Sequence, residues 1–157
     1  MSRLDAQIGA APSREADEEV DLLALAAEEC ARYEETELDG QPATLRGDAR
    51  LLRRMIRNLL ENARRHGAPP IELRVARRDD GAEISVRDHG AGIPERERER
   101  VFEPFYRQPN ARPGSGAGLG LALVRRIARR HGGDAAVEAP AGGGSRFIVR
   151  LGRSPQA

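Results

Sequence analysis

The chain of 157 residues has no lysine, no tryptophan, a single cysteine and only 3% aromatic residues. Each shortage excludes something. With no lysine, all 26 permanent cations are arginines, so any cationic contact to a phosphate or carboxylate is made by a guanidinium. The few aromatics provide no stacking platform for nucleic-acid bases. The lone Cys30 rules out an intrachain disulfide, and no Cys/His cluster has metal-ligand spacing. No run approaches the ~20 apolar residues of a membrane span. The N-terminus lacks the apolar core of a signal peptide, so the expected location is cytoplasmic, with any inner-membrane anchor belonging to a longer parent protein. A net charge of +1 gives no field that would draw nucleic acid or a membrane surface.

What is present is a globular composition, 39% hydrophobic and 32% charged, on a length that suits one domain. Residues 1–17, interrupted by Gly9 and Pro12, read as a tail or linker; residues 18–153 read as the domain and 154–157 as a second tail. Val20, Leu22, Leu23, Leu25, Ala26, Ala27 and Cys30 predict a helix over 18–34. Two short strands follow around the turn DGQP. Asp48 is a candidate N-cap for the clearest helix, 49–66, where Leu52, Met55, Ile56, Leu59, Leu60 and Ala63 repeat at the helical period and Gly67 stops it. IELRVARR and AEISVRD alternate as strands about the turn signal DDG. Residues 94–117 have no sustained period, and a connection of that length inside a compact domain is usually functional. A helix to about His131 and two further strands complete the chain. Paired strands between helices predict an α+β fold with an antiparallel or mixed sheet and its helices on one face.

Four stretches carry chemistry. In RNLLENARRHG, Asn58 and Asn62 lie four apart on one helical face, offset from the apolar stripe. Their carbonyl oxygens suit Mg²⁺ with nucleotide phosphates, and Arg65 lies one turn on; two surface amides are the plain alternative. In VRDHGAGIP, the alternation that buries Ile84 and Val86 also turns Asp88 inward. A buried carboxylate needs a partner, such as the exocyclic amine of adenine, and Gly90 and Gly92 would let the backbone approach a flat ligand. A turn with a solvated Asp is the alternative there. In RVFEPFYRQPN, Phe102 and Phe105 would pin the loop to a neighbouring surface or enter the core, and Arg107 would reach a phosphate or be solvated. The run ERERER reads as a solvated helical turn. In GSGAGLG, alternate glycines run into a helix N-terminus, which suits an anion. No Lys-Ser or Lys-Thr follows, so it is no Walker loop. Among the histidines, His131 reads as helix capping or dipole compensation, whereas His66 borders the Asn face.

In this order and spacing, NLLENARRH, DHGAGIP, FEPFYR and GSGAGLGLALVRRIARRHGG resemble the N, G1, F and G2 boxes of the catalytic, ATP-binding domain of two-component sensor histidine kinases, over about residues 20–152. That superfamily includes gyrase, a heat-shock chaperone and mismatch-repair ATPases. The resemblance implies a two-layer α/β sandwich (the Bergerat fold) with 94–117 as a long ATP lid. It implies that Asn58 and Asn62 hold Mg²⁺ and phosphates, that Arg65 and His66 contact the nucleotide, and that Asp88 accepts from the adenine amine. Gly90, Gly92 and Ile93 would lie beside the ring, and Phe105 and Arg107 in the lid. Gly116, Ala117, Gly118, Leu119 and Gly120 would line the triphosphate. Asn58, Arg65 and Arg107 are the candidate catalytic residues. Ala117 stands where Thr or Ser is common, which removes a hydroxyl contact.

The resemblance further implies partners: a dimerisation domain bearing the phosphoacceptor His and, through it, a response regulator. No His of this chain is followed by the acidic residue and proline of that setting, and SRLDAQIGAA would be a remnant of the dimerisation domain's second helix. The isolated chain is expected to be monomeric and its parent homodimeric. Gyrase-like members place a Glu where Asn58 stands; an amide cannot take a proton from water, so hydrolysis is expected to be slow. A nucleotide-binding module without transfer and an anti-sigma-factor serine kinase are the competing readings.

Overall fold

The computed structural model describes residues 16–107 and 118–152. Residues 1–15 and 154–157, assigned above to tails, residue 153, assigned to the domain, and Gly116 and Ala117 lie outside that range, as do the other residues of 108–117. The element order is β1 (Glu18–Asp21), α1 (Leu22–Cys30), β2 (Thr36–Gly40), β3 (Thr44–Gly47), α2 (Ala49–His66), β4 (Ile71–Arg78), β5 (Gly81–Asp88), α3 (Gly120–Arg130), β6 (Asp134–Glu138) and β7 (Ser145–Leu151). Two single 3-10 turns, Glu95–Glu97 and Arg100–Phe102, lie between β5 and α3.

The main sheet runs β2-β4-β5-β7-β6. Only β2 and β4 are parallel; the other pairs are antiparallel. Alternation decides its two faces. Ile71, Leu73, Val75, Ile84, Val86, Phe147 and Val149 are buried under the helices. The opposite face is a lattice of charge in which Glu72 lies across from Arg87, Asp39 from Arg74, and Glu83 from Arg150. Opposite charges across strands are favourable where like charges would repel, so this face stands in water without a second helical layer.

The helix α2 has the predicted bounds. The Asp48 carboxylate accepts from the backbone N–H of Arg50 at 3.0 Å and of Leu51 at 3.3 Å. Arg64, Arg65 and His66 occupy the last turn, where cations complement the helix dipole. Leu52, Met55, Ile56, Leu59 and Leu60 are sealed in the core, each contributing about 1.5–3 kcal/mol by leaving water. Buried Glu29 ties α1 to α2 by accepting from Arg57 Nε at 2.8 Å and Arg53 Nη1 at 3.1 Å. The Arg57 hydrogen bond holds its carboxyl below the usual range against the opposing effect of burial.

The expected helix over 18–34 is corrected. Its first four residues form β1, antiparallel to β3 in a separate two-stranded sheet with Val20 opposite Leu45. The Asp21 carboxylate accepts from Ala24 N–H at 3.0 Å and so starts the helix at its N-cap, while pairing with β3 makes the residues before it a strand. At the other end the helix stops at Cys30. Ahead of β1, Asp17 is already buried and forms a 2.9 Å ion pair with Arg130, so ordered packing starts one residue before the expected edge.

His131, 2% exposed, departs from the dipole reading. Its Nδ1 lies 2.8 Å from the Ile127 carbonyl, and its Nε2 lies 3.1 Å from Asp48 N–H and 3.3 Å from Arg130 Nη1. An amide and a guanidinium can only donate, so Nε2 accepts and Nδ1 carries the proton. The ring does cap α3, but as a neutral imidazole joining the end of α3 to the start of α2. Burial, opposed by the Ile127 hydrogen bond, holds its pKa below the ordinary 6.5.

The unfolded chain therefore binds a proton in a range where the folded chain does not. Stability is full above about pH 6.5 and declines as pH falls from there towards the depressed folded value. His66, lowered in the same direction, is removed by His66→Gln. In that background urea unfolding at pH 7.5 and 5.5 should show a loss of stability at the lower pH that His131→Gln abolishes. His131→Gln itself should cost about 1–3 kcal/mol at pH 7.5.

Candidate functional site

The site is organised around the end of β5. Alternation along that strand buries Ile84, Val86 and finally Asp88, whose carboxylate is 2% exposed. Asp88 Oδ1 accepts from Gly90 N–H at 2.8 Å, and Oδ2 accepts from the Ser145 hydroxyl at 2.7 Å. The expected inward turn of Asp88 is present, but the carboxylate is not partnerless. Its two oxygens offer about four acceptor sites, so capacity for a ligand amine remains.

Glycines make this arrangement possible. A Cβ on Gly67, the residue ending α2, would stand 2.3 Å from Asp88 Cγ, and one on Gly90 would stand 2.8 Å from Gly67 Cα. His89 N–H donates to the Ala68 carbonyl at 2.8 Å, and the His89 ring nitrogen Nδ1 lies 2.9 Å from the Pro70 carbonyl. The exit of α2 and the turn after β5 are thus zipped together, with the Asp88 side chain between them. Gly92 has φ +83° and lies against Gly144, and Ile93 is buried next to it. Ser145 and Gly67 were not anticipated. Ser145 had a signal: it faces Asp88 in register across β5 and β7.

Asn58 and Asn62 lie half-buried on the face of α2 beside the core stripe. Asn58 Nδ2 donates to the Gly120 carbonyl at 3.3 Å, which joins α2 to the first residue of α3. Among the described residues no side chain caps that end of α3. Its first-turn N–H groups, with Gly118, Leu119 and Gly120, therefore sit beside Asn58. Arg65 and His66 are at the surface in the last turn of α2. Partial desolvation, then the charges of Arg65 and Arg107, hold the His66 imidazole below its ordinary value. Arg107 thus comes from its loop into electrostatic reach of the end of α2. From Asn58 to Gly67 the helix rises about 13 Å, with the Asn face at one end and the Asp88 carboxylate at the other.

The loop splits its two phenylalanines. Phe102 is buried edge-on against Phe147, with centroids 6.0 Å apart. Phe105 is 56% exposed and pins nothing with its ring. Its backbone does the work, since Phe105 N–H donates to the Gly118 carbonyl at 2.8 Å and joins the two sides of residues 108–117. The run ERERER is corrected as well. It forms parts of two 3-10 turns, and Glu97 is buried with a hydrogen bond from the Tyr106 hydroxyl.

Comparison with known proteins matches residues 47–155 to the family described as histidine kinase-, DNA gyrase B-, and HSP90-like ATPase. The chain is 42% identical over 109 residues to the signal transduction histidine-protein kinase AfsQ2 of Streptomyces coelicolor, covering 69% of this chain and 20% of that protein. It is 40% identical over 136 residues to the sensor-type histidine kinase PrrB of Mycobacterium tuberculosis, covering 83% of this chain and 30% of that protein. The chain therefore spans less than a third of these curated relatives. Among solved structures, the ATP binding domain of PrrB from M. tuberculosis superposes with a TM-score of 0.71 at 33% identity, covering 90% of this chain and 100% of that one. The mycobacterial sensor histidine kinase MprB gives a TM-score of 0.71 at 32% identity, covering 88% and 99%.

Gly118 has φ +77°, and a Cβ there would lie 2.9 Å from Phe105 Cα. Gly118→Ala should introduce strain of about 1–2 kcal/mol at this joint. Amide hydrogen exchange should then show Phe105 opening about 5–30-fold more often, with α2 unaffected.

Proposed function

The chain belongs to the histidine kinase-, DNA gyrase B- and HSP90-like ATPase family and has its Bergerat fold, and from that premise we propose that it is the catalytic domain of a two-component sensor histidine kinase. It binds ATP with Mg²⁺ and donates the γ-phosphate to a histidine on the dimerisation domain of its parent kinase, from which a response regulator is phosphorylated. The observation that carries this reading is that α2 brings together a buried carboxylate, Asp88, packed at its exit by Gly67, and an amide, Asn58, about 13 Å earlier along the helix beside Gly120.

The base end is built to read an amine. Asp88 accepts from the adenine amino group, held in place by Ser145 and Gly90, while Gly90, Gly92 and Ile93 face the ring. At the phosphate end the N–H groups of Gly118, Leu119 and Gly120 donate to phosphate oxygens, and by motif Gly116 and Ala117 extend that cradle. Arg65, His66 and Arg107 line the space between, with Arg107 opposing the charge of the terminal phosphate. Phe105 stands in the loop beside Gly118.

The donor set fits Mg²⁺. Asn58 uses its amide N–H on Gly120, which leaves its carbonyl oxygen for the site, and Asn62 offers a second neutral oxygen one turn on. Mg²⁺ held there would neutralise phosphate charge during transfer. In the transfer the bond from the γ-phosphorus to the β,γ-bridging oxygen breaks, and a bond to the acceptor imidazole nitrogen forms. The chain supplies positioning and charge rather than covalent chemistry. The Asn58 amide cannot serve as a base for water, so the γ-phosphate is kept for the histidine rather than hydrolysed.

No helix among the described residues is long and apolar enough to cross a membrane. The proposed setting is the cytoplasmic side of a parent kinase, dimeric through its dimerisation domain and anchored elsewhere if at all.

The test mixes the chain with γ-labelled ATP, Mg²⁺ and a separately produced dimerisation domain. Acid-labile, base-stable label on that domain is expected, with hydrolysis by the chain alone much slower than transfer. Tight ATP binding without any label would leave a nucleotide-binding module that does not transfer. Asp88→Asn keeps the shape but weakens the acceptor, and should reduce ATP affinity by about 1–3 kcal/mol in calorimetry; unchanged affinity would remove Asp88 from the base site.

A further inference from the structure

We propose that Arg125, on α3 and outside the nucleotide site, is a positioning residue that sets the loop 95–107 against α3 and so places Arg107 between the last turn of α2 and the phosphate end. The inference rests on the nucleotide-binding reading above for what Arg107 contacts, but not for the clamp itself.

Arg125 joins three parts of the fold through one planar group. Nη1 lies 2.6 Å from Glu99 Oε1 in the loop, and Nη2 donates to the Ala135 carbonyl of β6 at 2.8 Å. Nε lies 3.2 Å from Asp134 Oδ1 but is not aligned for a hydrogen bond. The guanidinium also lies over the Phe102 ring, 4.2 Å from its centroid, and that ring rests edge-on against Phe147 of β7. The Arg125 side chain is only 13% exposed, whereas that of Glu99 is 80% exposed, so the stacking on Phe102 and the bond to the Ala135 carbonyl are better shielded from water than the Glu99 pair.

The loop is internally tied and moves with its attachments. Glu103 N–H donates to Arg100, Tyr106 N–H to Glu103, the Tyr106 hydroxyl to Glu97, and Arg98 Nε to Ile93. Its described connections to α3 and the strand that follows are the Arg125 cluster at Glu99 and Phe102, and the Phe105–Gly118 hydrogen bond. Arg107 lies two residues past that second joint, and Arg125 lies five residues past Gly120. Fixing Glu99 and Phe102 to α3 therefore fixes Arg107 relative to the N-terminus of the same helix. A lysine would keep the charge for Glu99, but it has no planar face for Phe102 and no second fork for Ala135.

The test uses the full chain carrying Arg125→Met, Arg107→Gln or both. In calorimetry with Mg²⁺, Arg107→Gln is expected to lower ATP affinity about tenfold and ADP affinity much less. Arg125→Met should reproduce that selective loss, and the double variant should lose no more than Arg107→Gln alone. Arg125→Lys should fall in between. Glu99→Gln, at an exposed position, should shift the ATP-to-ADP ratio in the same direction by less. Equal losses for ATP and ADP in Arg125→Met, or losses that multiply in the double variant, would overturn the proposal. A ligand-free readout keeps it separate from the nucleotide reading. In Arg125→Met the amides of Glu103, Phe105 and Tyr106 should exchange about tenfold faster while α2 keeps its protection. Unchanged protection there overturns the proposal, whereas failure of the unaltered chain to bind ATP counts against the nucleotide reading instead.

Discussion

A carboxylate placed in the interior at the end of a strand must be met by donors or it costs several kcal/mol, and much of this molecule's site follows from meeting that demand for Asp88. The Ser145 hydroxyl and Gly90 N–H supply the donors. Close approach of the α2 exit then leaves no room for a side chain at Gly67, and Gly144 is hemmed in by the Asp88 carbonyl in the same way. The result is an acceptor held at both of its carboxylate oxygens. Its position is set by β5, β7 and α2 together rather than by a loop.

The other end of the site depends on how α2 and α3 are held. At the site, Asn58 on α2 grips the first carbonyl of α3. At the far end the neutral His131 ring joins the end of α3 to the start of α2, and Arg130 beside it reaches back to Asp17 ahead of the first strand. The helix α3 is thus fastened to α2 at both of its own ends, which gives the proposed phosphate end a fixed frame, and the loop carrying Arg107 is joined to α3 through Arg125. Of the proposed binding groups, Asn58, Asn62, Asp88 and Gly120 are carried by regular elements, and Gly90, Gly92, Ile93, Gly118 and Leu119 by the turns that join them.

The features legible in sequence were those set by near neighbours. The bounds of α2 follow from Asp48, the apolar period and Gly67; β4 and β5 follow from alternation about Asp79 and Asp80; the inward turn of Asp88 follows from the phase of Ile84 and Val86. Features decided by distant partners were not legible. The segment Glu18–Asp21 has an apolar residue in helical phase with α1, yet its pairing with Thr44–Gly47 makes it a strand. The charges of ERERER gave no sign that Tyr106 would bury Glu97. Phe102 and Phe105 look equivalent three residues apart, and only the position of Phe147 and Gly118 separates the ring that packs from the one that does not. His131 at a helix end suggested capping or dipole compensation; it does cap α3, but the donors at its Nε2, which the sequence does not show, make it a neutral ring rather than a compensating charge.

The central claim is that α2 joins a base end at Asp88 to a phosphate end at Asn58. Titration of ATP and Mg²⁺ into the ¹⁵N-labelled chain, followed by amide shifts, tests it most directly. The account predicts saturable shifts at Gly67, Gly90, Gly92 and Ser145 together with Gly118 and Gly120, all fitting one dissociation constant, while the charged outer strands remain unmoved. Shifts confined to the outer face of the sheet, or to the phosphate end with Gly90 and Ser145 still, would contradict it.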